Sequence, residues 1–134
     1  MIVVDNTVLA DLFLGEGSLK ESAEALVLED FDWISVGLWR YEFGNVLWKI
    51  LRKSDDLEHC NETAEAAFEA AEAALLESVE LLEFTKVFEL AIESGLTFYD
   101  ASYVWLARER GLKLRTRDKE ILREFPDIAV KMPA

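Results

Sequence analysis

The chain has 134 residues, 51% of them apolar, and a formal net charge of −13. That composition supports a single domain, residues 1–134, with a substantial core. No run of 18 apolar residues occurs, no basic segment precedes the first apolar run, and the one cysteine, Cys60, has no partner for an internal disulfide, so no membrane span, secretory signal or disulfide scaffold is expected, and a cytoplasmic, reducing setting is.

Ile2 to Asp5 reads as a short buried strand that delivers a carboxylate at its end. Val8, Leu9, Leu12 and Phe13 then form one helical stripe that stops at Gly15. Ser18 reads as the N-cap of a helix through about Leu28, with Glu21 three residues on as in a capping box. Trp33 to Val36 is a second strand, and Leu38 to Leu51 a strongly patterned helix. Asn61 opens an alanine-rich helix of high intrinsic propensity. The lone His59 reads as a surface residue in a polar turn before it.

Val79 to Glu83 reads as a third strand. "TKVFELAIESG" and "FYDASYVWLARERG" are helices closed by Gly95 and Gly111. Lys113 to Thr116 is a strand, Asp118 to Phe125 a short helix and Ile128 to Val130 a last strand. Strands alternating with helices predict an α/β domain with a mostly parallel sheet. In such sheets ligands bind in the crevice beyond the carboxyl ends of the strands.

Charge is distributed unevenly. Residues 55–93 hold twelve acids against one base, Lys86, whereas residues 108–123 hold seven bases against three acids. Most of these charges read as solvated helix faces. Four acids are different: Asp5 and Asp118 lie just after strands, and Glu42 and Asp100 lie near helix starts among aromatic and aliphatic residues. Taken singly, each reads as a capping or first-turn acid that complements the helix dipole. Taken together, all four are placed to face one crevice, where a divalent cation would offset their desolvation.

The segments "VVDNTVLADLF", "YEFGNVLWK", "LTFYDASYVWLARERGLKL" and "TRDKEI" resemble, in order and spacing, the acidic motifs of PIN-domain nucleases. Within that family the chain is most similar to VapC toxins of toxin–antitoxin pairs. The resemblance implies a three-layer α/β/α fold with a central sheet of four to five strands. It implies an endoribonuclease that uses one or two Mg²⁺ or Mn²⁺ ions, a VapB-type antitoxin partner and a homodimer. Asp5, Glu42, Asp100 and Asp118 match the family's catalytic and metal-binding acids. Asn45 matches the asparagine three residues after the glutamate, and Thr7 and Thr116 match its hydroxyl positions.

On this reading Asp5, Glu42 and Asp100 form the core of the metal site, and Asp118 binds an ion directly or holds a water. Thr7 and Thr116 hydrogen-bond the carboxylates or waters. Asn6 is a backbone-turn residue, and Asn45 a buried hydrogen-bonder that orients Glu42. Arg115 and Arg117, beside Thr116, are candidates for phosphate contacts. The acidic stretch 55–93 carries no family motif and is expected to face away from RNA or toward a basic partner. Two other readings stand beside this one. A non-catalytic interaction domain could keep the same fold. An aspartate-nucleophile phosphatase is suggested by "VVDNT", although Asn6 stands where such enzymes carry a second acid. The four tryptophans, Trp33, Trp39, Trp48 and Trp105, fall in apolar periodic stretches and read as core or interface residues rather than base-stacking platforms.

Overall fold

The computed structural model describes residues 1–80 and 83–134. β1 (Ile2–Val4) leads into α1 (Asn6–Leu14) and α2 (Gly17–Glu29), and β2 (Trp33–Val36) into α3 (Trp39–Leu51) and α4 (Leu57–Ala74). β3 (Leu75–Val79) is followed by α5 (Phe84–Ser94) and α6 (Phe98–Arg110), β4 (Leu114–Thr116) by α7 (Lys119–Glu124), and the last strand is β5 (Ala129–Lys131). The strands form one sheet in the order β3-β2-β1-β4-β5, with every pairing parallel.

The pleat of β1 sorts the core into two halves. Ile2 and Val4 face a cluster with Leu9 of α1, Leu26 of α2, and Trp39 and Phe43 of α3. Val3 faces the opposite cluster, with Leu90 of α5, Val104 and Leu106 of α6, and Ile121 of α7. Helices therefore cover both faces, and strands buried on both sides read as continuous apolar runs, as "IVV" and "WISV" do. Trp33, Trp39 and Trp105 are buried, while Trp48 is exposed.

From central β1 the chain moves outward to β2 on one side and later to β4 on the other. This reversal of strand order opens a crevice at the carboxyl ends of β1 and β4. Gly95 and Gly111 close α5 and α6 with φ of 78° and 63°, a left-handed backbone that glycine adopts without a Cβ clash.

Four local expectations are corrected. The third strand is Leu75–Val79, not Val79 to Glu83. It pairs with β2 from Trp33 to Val36, and part of the expected segment, residues 81 and 82, lies outside the described residues. α4 starts at Leu57 rather than Asn61, because the Asp56 carboxylate caps it by accepting from the His59 N–H. His59 is accordingly an exposed first-turn helix residue. The Ser18–Glu21 capping box does not form, since Gly17 and Ser18 already lie within α2 and no side chain caps that helix.

Candidate active site

Asp5 follows β1 and caps α1, with its Oδ1 accepting from the Val8 N–H at 3.3 Å. Only 5% of the residue is exposed. Each carboxylate oxygen also receives a hydroxyl: Thr7 Oγ1 donates to Oδ1 and Thr116 Oγ1 to Oδ2, both at 2.6 Å. Thr116 ends β4, beside β1, so sheet pairing itself brings this hydroxyl to Asp5. Its Oγ1 in turn accepts from the Asp118 N–H at 3.0 Å. Asp118 caps α7, its Oδ1 accepting from the Glu120 and Ile121 N–H groups.

Glu42 lies in the first turn of α3 and Asp100 in the first turn of α6, whose cap is Thr97. The four acids reach one another electrostatically. The charges of Asp118, Glu42 and Asp5 all act on Asp100, that of Asp5 acts on Glu42, and that of Asp118 on Asp5. Burial is the main reason that Asp5 holds its proton more tightly than an ordinary aspartic acid. The Thr116 and Thr7 hydroxyls and the Val8 amide oppose the shift, and Asp118 adds to it. Asp100 is pushed up to about 6, first by burial and then by the charges of Asp118, Glu42 and Asp5. Glu42 is raised by burial, against the hydrogen bond that it accepts from Tyr103, with Asp5 contributing.

Tyr103, three residues after Asp100 on α6, is only 1% exposed, and its hydroxyl donates to Glu42 Oε1 at 2.5 Å. The Asn6 backbone amide faces the same hydroxyl oxygen. Burial and the Glu42 charge hold the phenol well above its ordinary range, so it stays a donor. Asn45, expected to be buried and bonded to Glu42, is instead exposed. Tyr103 from the opposing helix takes the orienting role assigned to it. Asn6 is the first residue of α1 and buried.

Of the two arginines beside Thr116, Arg115 is not brought to the carboxylates. Successive strand residues point to opposite faces, and Arg115 pairs with Glu29 of α2 at 2.9 Å while donating to the Lys131 carbonyl. Arg117 stays close enough to feel the charges of Asp5 and Asp118. It donates through Nε and Nη2 to the buried Asp11 carboxylate of α1 at 2.8 and 3.2 Å. The basic C-terminal stretch is further neutralised by a two-bond Arg110–Glu77 pair.

An open cleft of about 590 Å³ borders Glu42, with Asn6, Asn45, Tyr41, Lys49 and Tyr99 among its walls. A smaller groove, which shares Asn6 and Val46 with it, continues past Thr7 and Asp11 to Arg117.

No family profile matches the chain. A curated protein, Ribonuclease VapC3 of Pyrobaculum aerophilum, is 35% identical over 127 residues, which cover 93% of this chain and 95% of that protein. The chain belongs to the VapC family of PIN-domain ribonucleases. Exonuclease VapC9 of the same organism is 40% identical over 85 residues, 61% of this chain and 59% of that one. The crystal structure of PAE2754 from Pyrobaculum aerophilum aligns with a TM-score of 0.74 at 28% identity, over 97% of this chain and 89% of that chain. The three-layer α/β/α PIN-like fold with an all-parallel five-stranded sheet agrees with that match.

Members of the VapC family generally use a divalent metal, and the donor chemistry here suits one. All four acids offer hard oxygen ligands, and among the described residues no lysine or arginine forms an ion pair with any of them. No group of three His, Cys, Asp or Glu side chains among the described residues is drawn together tightly enough to grip an ion as the side chains stand. Two residues of this VapC chain escaped sequence reading. Tyr103 was legible only as an aromatic three positions after Asp100, and Asp11 only as an acid inside the first apolar stripe.

Proposed function

We propose that this VapC-family chain is a divalent-metal-dependent endoribonuclease, the toxin half of a toxin–antitoxin pair. The observation that carries the reading is the gathering of Asp5, Glu42, Asp100 and Asp118 at the carboxyl edge of a parallel sheet, with their charges acting on one another. A divalent cation, when bound, supplies positive charge for the phosphodiester and makes water more acidic. Asp5, Glu42 and Asp100 would hold it, and Asp118 would complete the site. Thr7 and Thr116 fix both oxygens of Asp5, and Tyr103 fixes Glu42, so the protein orients its ligands before anything binds. Of the two candidate arginines, Arg117 is the one near the acids, its charge met in part by Asp11.

Open groove on both sides of Asn6 supports internal cleavage, because a strand can pass through without a free end. A relative named as an exonuclease makes the alternative concrete. A covalently closed RNA circle separates them: with Mn²⁺ the chain should linearise it, and EDTA should abolish the cut. Degradation of linear RNA with circles left intact would assign exonuclease action instead. Retention of all four acids counts against a non-catalytic interaction domain. Asn6 in place of a second acid, with Asp5 held by two threonines, counts against an aspartate-nucleophile phosphatase.

Tyr103→Phe should weaken Mn²⁺ binding by about tenfold or more, the scale of outer hydrogen bonds to metal ligands. Isothermal titration is the check, and unchanged affinity would leave Tyr103 a packing residue. An apolar furrow between α3 and α4, walled by Leu47, Trp48, Leu51 and Leu57, supports a helical antitoxin partner. Exposed Phe84, Phe88 and Ile92 along α5 support burial of that helix in a homodimer. Free Cys60 is in keeping with a cytoplasmic setting, and among the described residues no helix is long and apolar enough to cross a membrane.

A further inference from the structure

The cleft beside Glu42 has an unusual wall for a protein of net charge −13. Tyr41 is 80% exposed and Tyr99 60% exposed, and each immediately precedes an acid of the site, Glu42 or Asp100. Both rings stand on the first turns of long helices, α3 and α6, so their backbones are fixed rather than carried on loops. Among the described residues neither ring packs against another aromatic. By contrast, exposed Phe84 stacks on Phe88 and packs on Phe98. Cations are scarce. Lys49 is the only one lining the cleft, and Arg117 in the adjoining groove is already tied to Asp11. The buried Asn6 also lines the cleft, and its Oδ1 has no hydrogen-bond partner among the described residues.

A nucleic acid meeting this surface finds few positive charges and, in residues 55–93, a strongly negative neighbour. Phosphate attraction is therefore weak here. Stacking of bases on aromatic rings does not depend on charge and is open only to bases that are not already stacked in a duplex. We propose that the cleft is a base-binding site, in which unpaired nucleobases flanking the scissile phosphate stack on Tyr41 and Tyr99 while Lys49 meets one neighbouring phosphate. The inference rests on the nuclease reading above and assigns how that site holds its RNA: by stacking on two named rings more than by charge.

The test is fluorescence anisotropy with a 5′-labelled unstructured oligoribonucleotide and a blunt RNA hairpin of the same composition, both in Ca²⁺, over a range of salt. The single strand should bind at least tenfold more tightly than the hairpin. With one or two phosphates neutralised, its affinity should fall only about three- to sevenfold between 50 and 200 mM salt. Tyr41→Ala with Tyr99→Ala should weaken binding about tenfold or more, the scale of losing stacked bases. Tyr41→Phe with Tyr99→Phe should restore it, because the ring and not the hydroxyl is used. Wild-type affinity in the alanine variant, equal binding of the hairpin, a fall of a hundredfold or more with salt, or no RNA binding by the wild-type chain would each overturn the proposal. Cleavage by the wild-type chain in Mn²⁺, assayed alongside, tests the nuclease reading separately: cleavage with tyrosine-independent binding sinks only the stacking site.

Discussion

Asp5→Asn is expected to lower Mn²⁺-dependent RNA cleavage by about 10²–10³-fold while the protein stays folded. Loss of one preorganised charge at a reacting centre costs on the order of 10²–10³ in rate, and Asp5 is the most buried of the four acids and the one that both neighbouring strands support. Asparagine keeps the shape and caps α1 equally well. With the amide oxygen at the Oδ1 position, Thr7 still donates to it and the Thr116 hydroxyl can turn to accept from the NH₂. Since burial works against the Asp5 charge, thermal stability without metal should be unchanged or higher. Single-turnover cleavage and a thermal melt check both halves, and undiminished cleavage would remove Asp5 from the site.

A second large effect joins pH, metal and stability. The folded-state pKa of Asp100 is raised from 3.8 to about 6. Across that window the folded chain holds a proton that the unfolded chain releases, so stability declines as pH rises, and the deficit is complete above about pH 6. Asp5 and Glu42 shift in the same direction. Asp100→Asn removes one such deficit. In EDTA it should match the wild-type melting temperature near pH 3.5 and exceed it at pH 7. The difference should be about 1–2 kcal/mol, discounted for a half-buried group, or about 4–7 °C for a domain of this size. Mn²⁺ at pH 7 should reverse the order, because an ion at a hundred times its dissociation constant stabilises the wild type by about 2.7 kcal/mol and the variant by less. Parallel melts across pH with and without Mn²⁺ would show a constant wild-type–variant difference if Asp100 lay outside the cluster.

What could be read from residue order was largely what short-range chemistry dictates. A run such as "IVV" ending in Asp5 can only be buried on both faces, and parallel pairing then places Asp5 and Thr116 at one edge. Gly95 and Gly111 end their helices because a left-handed residue is needed there. Where two local solutions compete, tertiary contacts decide. "LLESVELLEF" offers two apolar windows, and pairing with β2 runs along the first, at Leu75–Val79. Asp56 wins over Asn61 as a cap because its carboxylate reaches the His59 amide.

Long-range partnerships were the hardest part of the site to read. Asn45 lies three residues from Glu42 on one helix and was the natural choice to orient it. The inner side of Glu42, however, faces α6, where Tyr103 arrives from sixty-one residues away. Nothing in the spacing of "YDASYV" distinguishes this tyrosine from core packing. Arg115 and Arg117 have similar surroundings in sequence, but Arg115 lies within β4, where it meets Glu29, and Arg117 lies beyond the strand's last residue, where it meets Asp11.

Whether four acids from distant segments share one cation is decided most directly by anomalous diffraction from a crystal soaked in Mn²⁺. The account predicts a strong peak touching Asp5 and at least two of Glu42, Asp100 and Asp118. No peak there at a saturating soak, or a peak held by other residues, would contradict it.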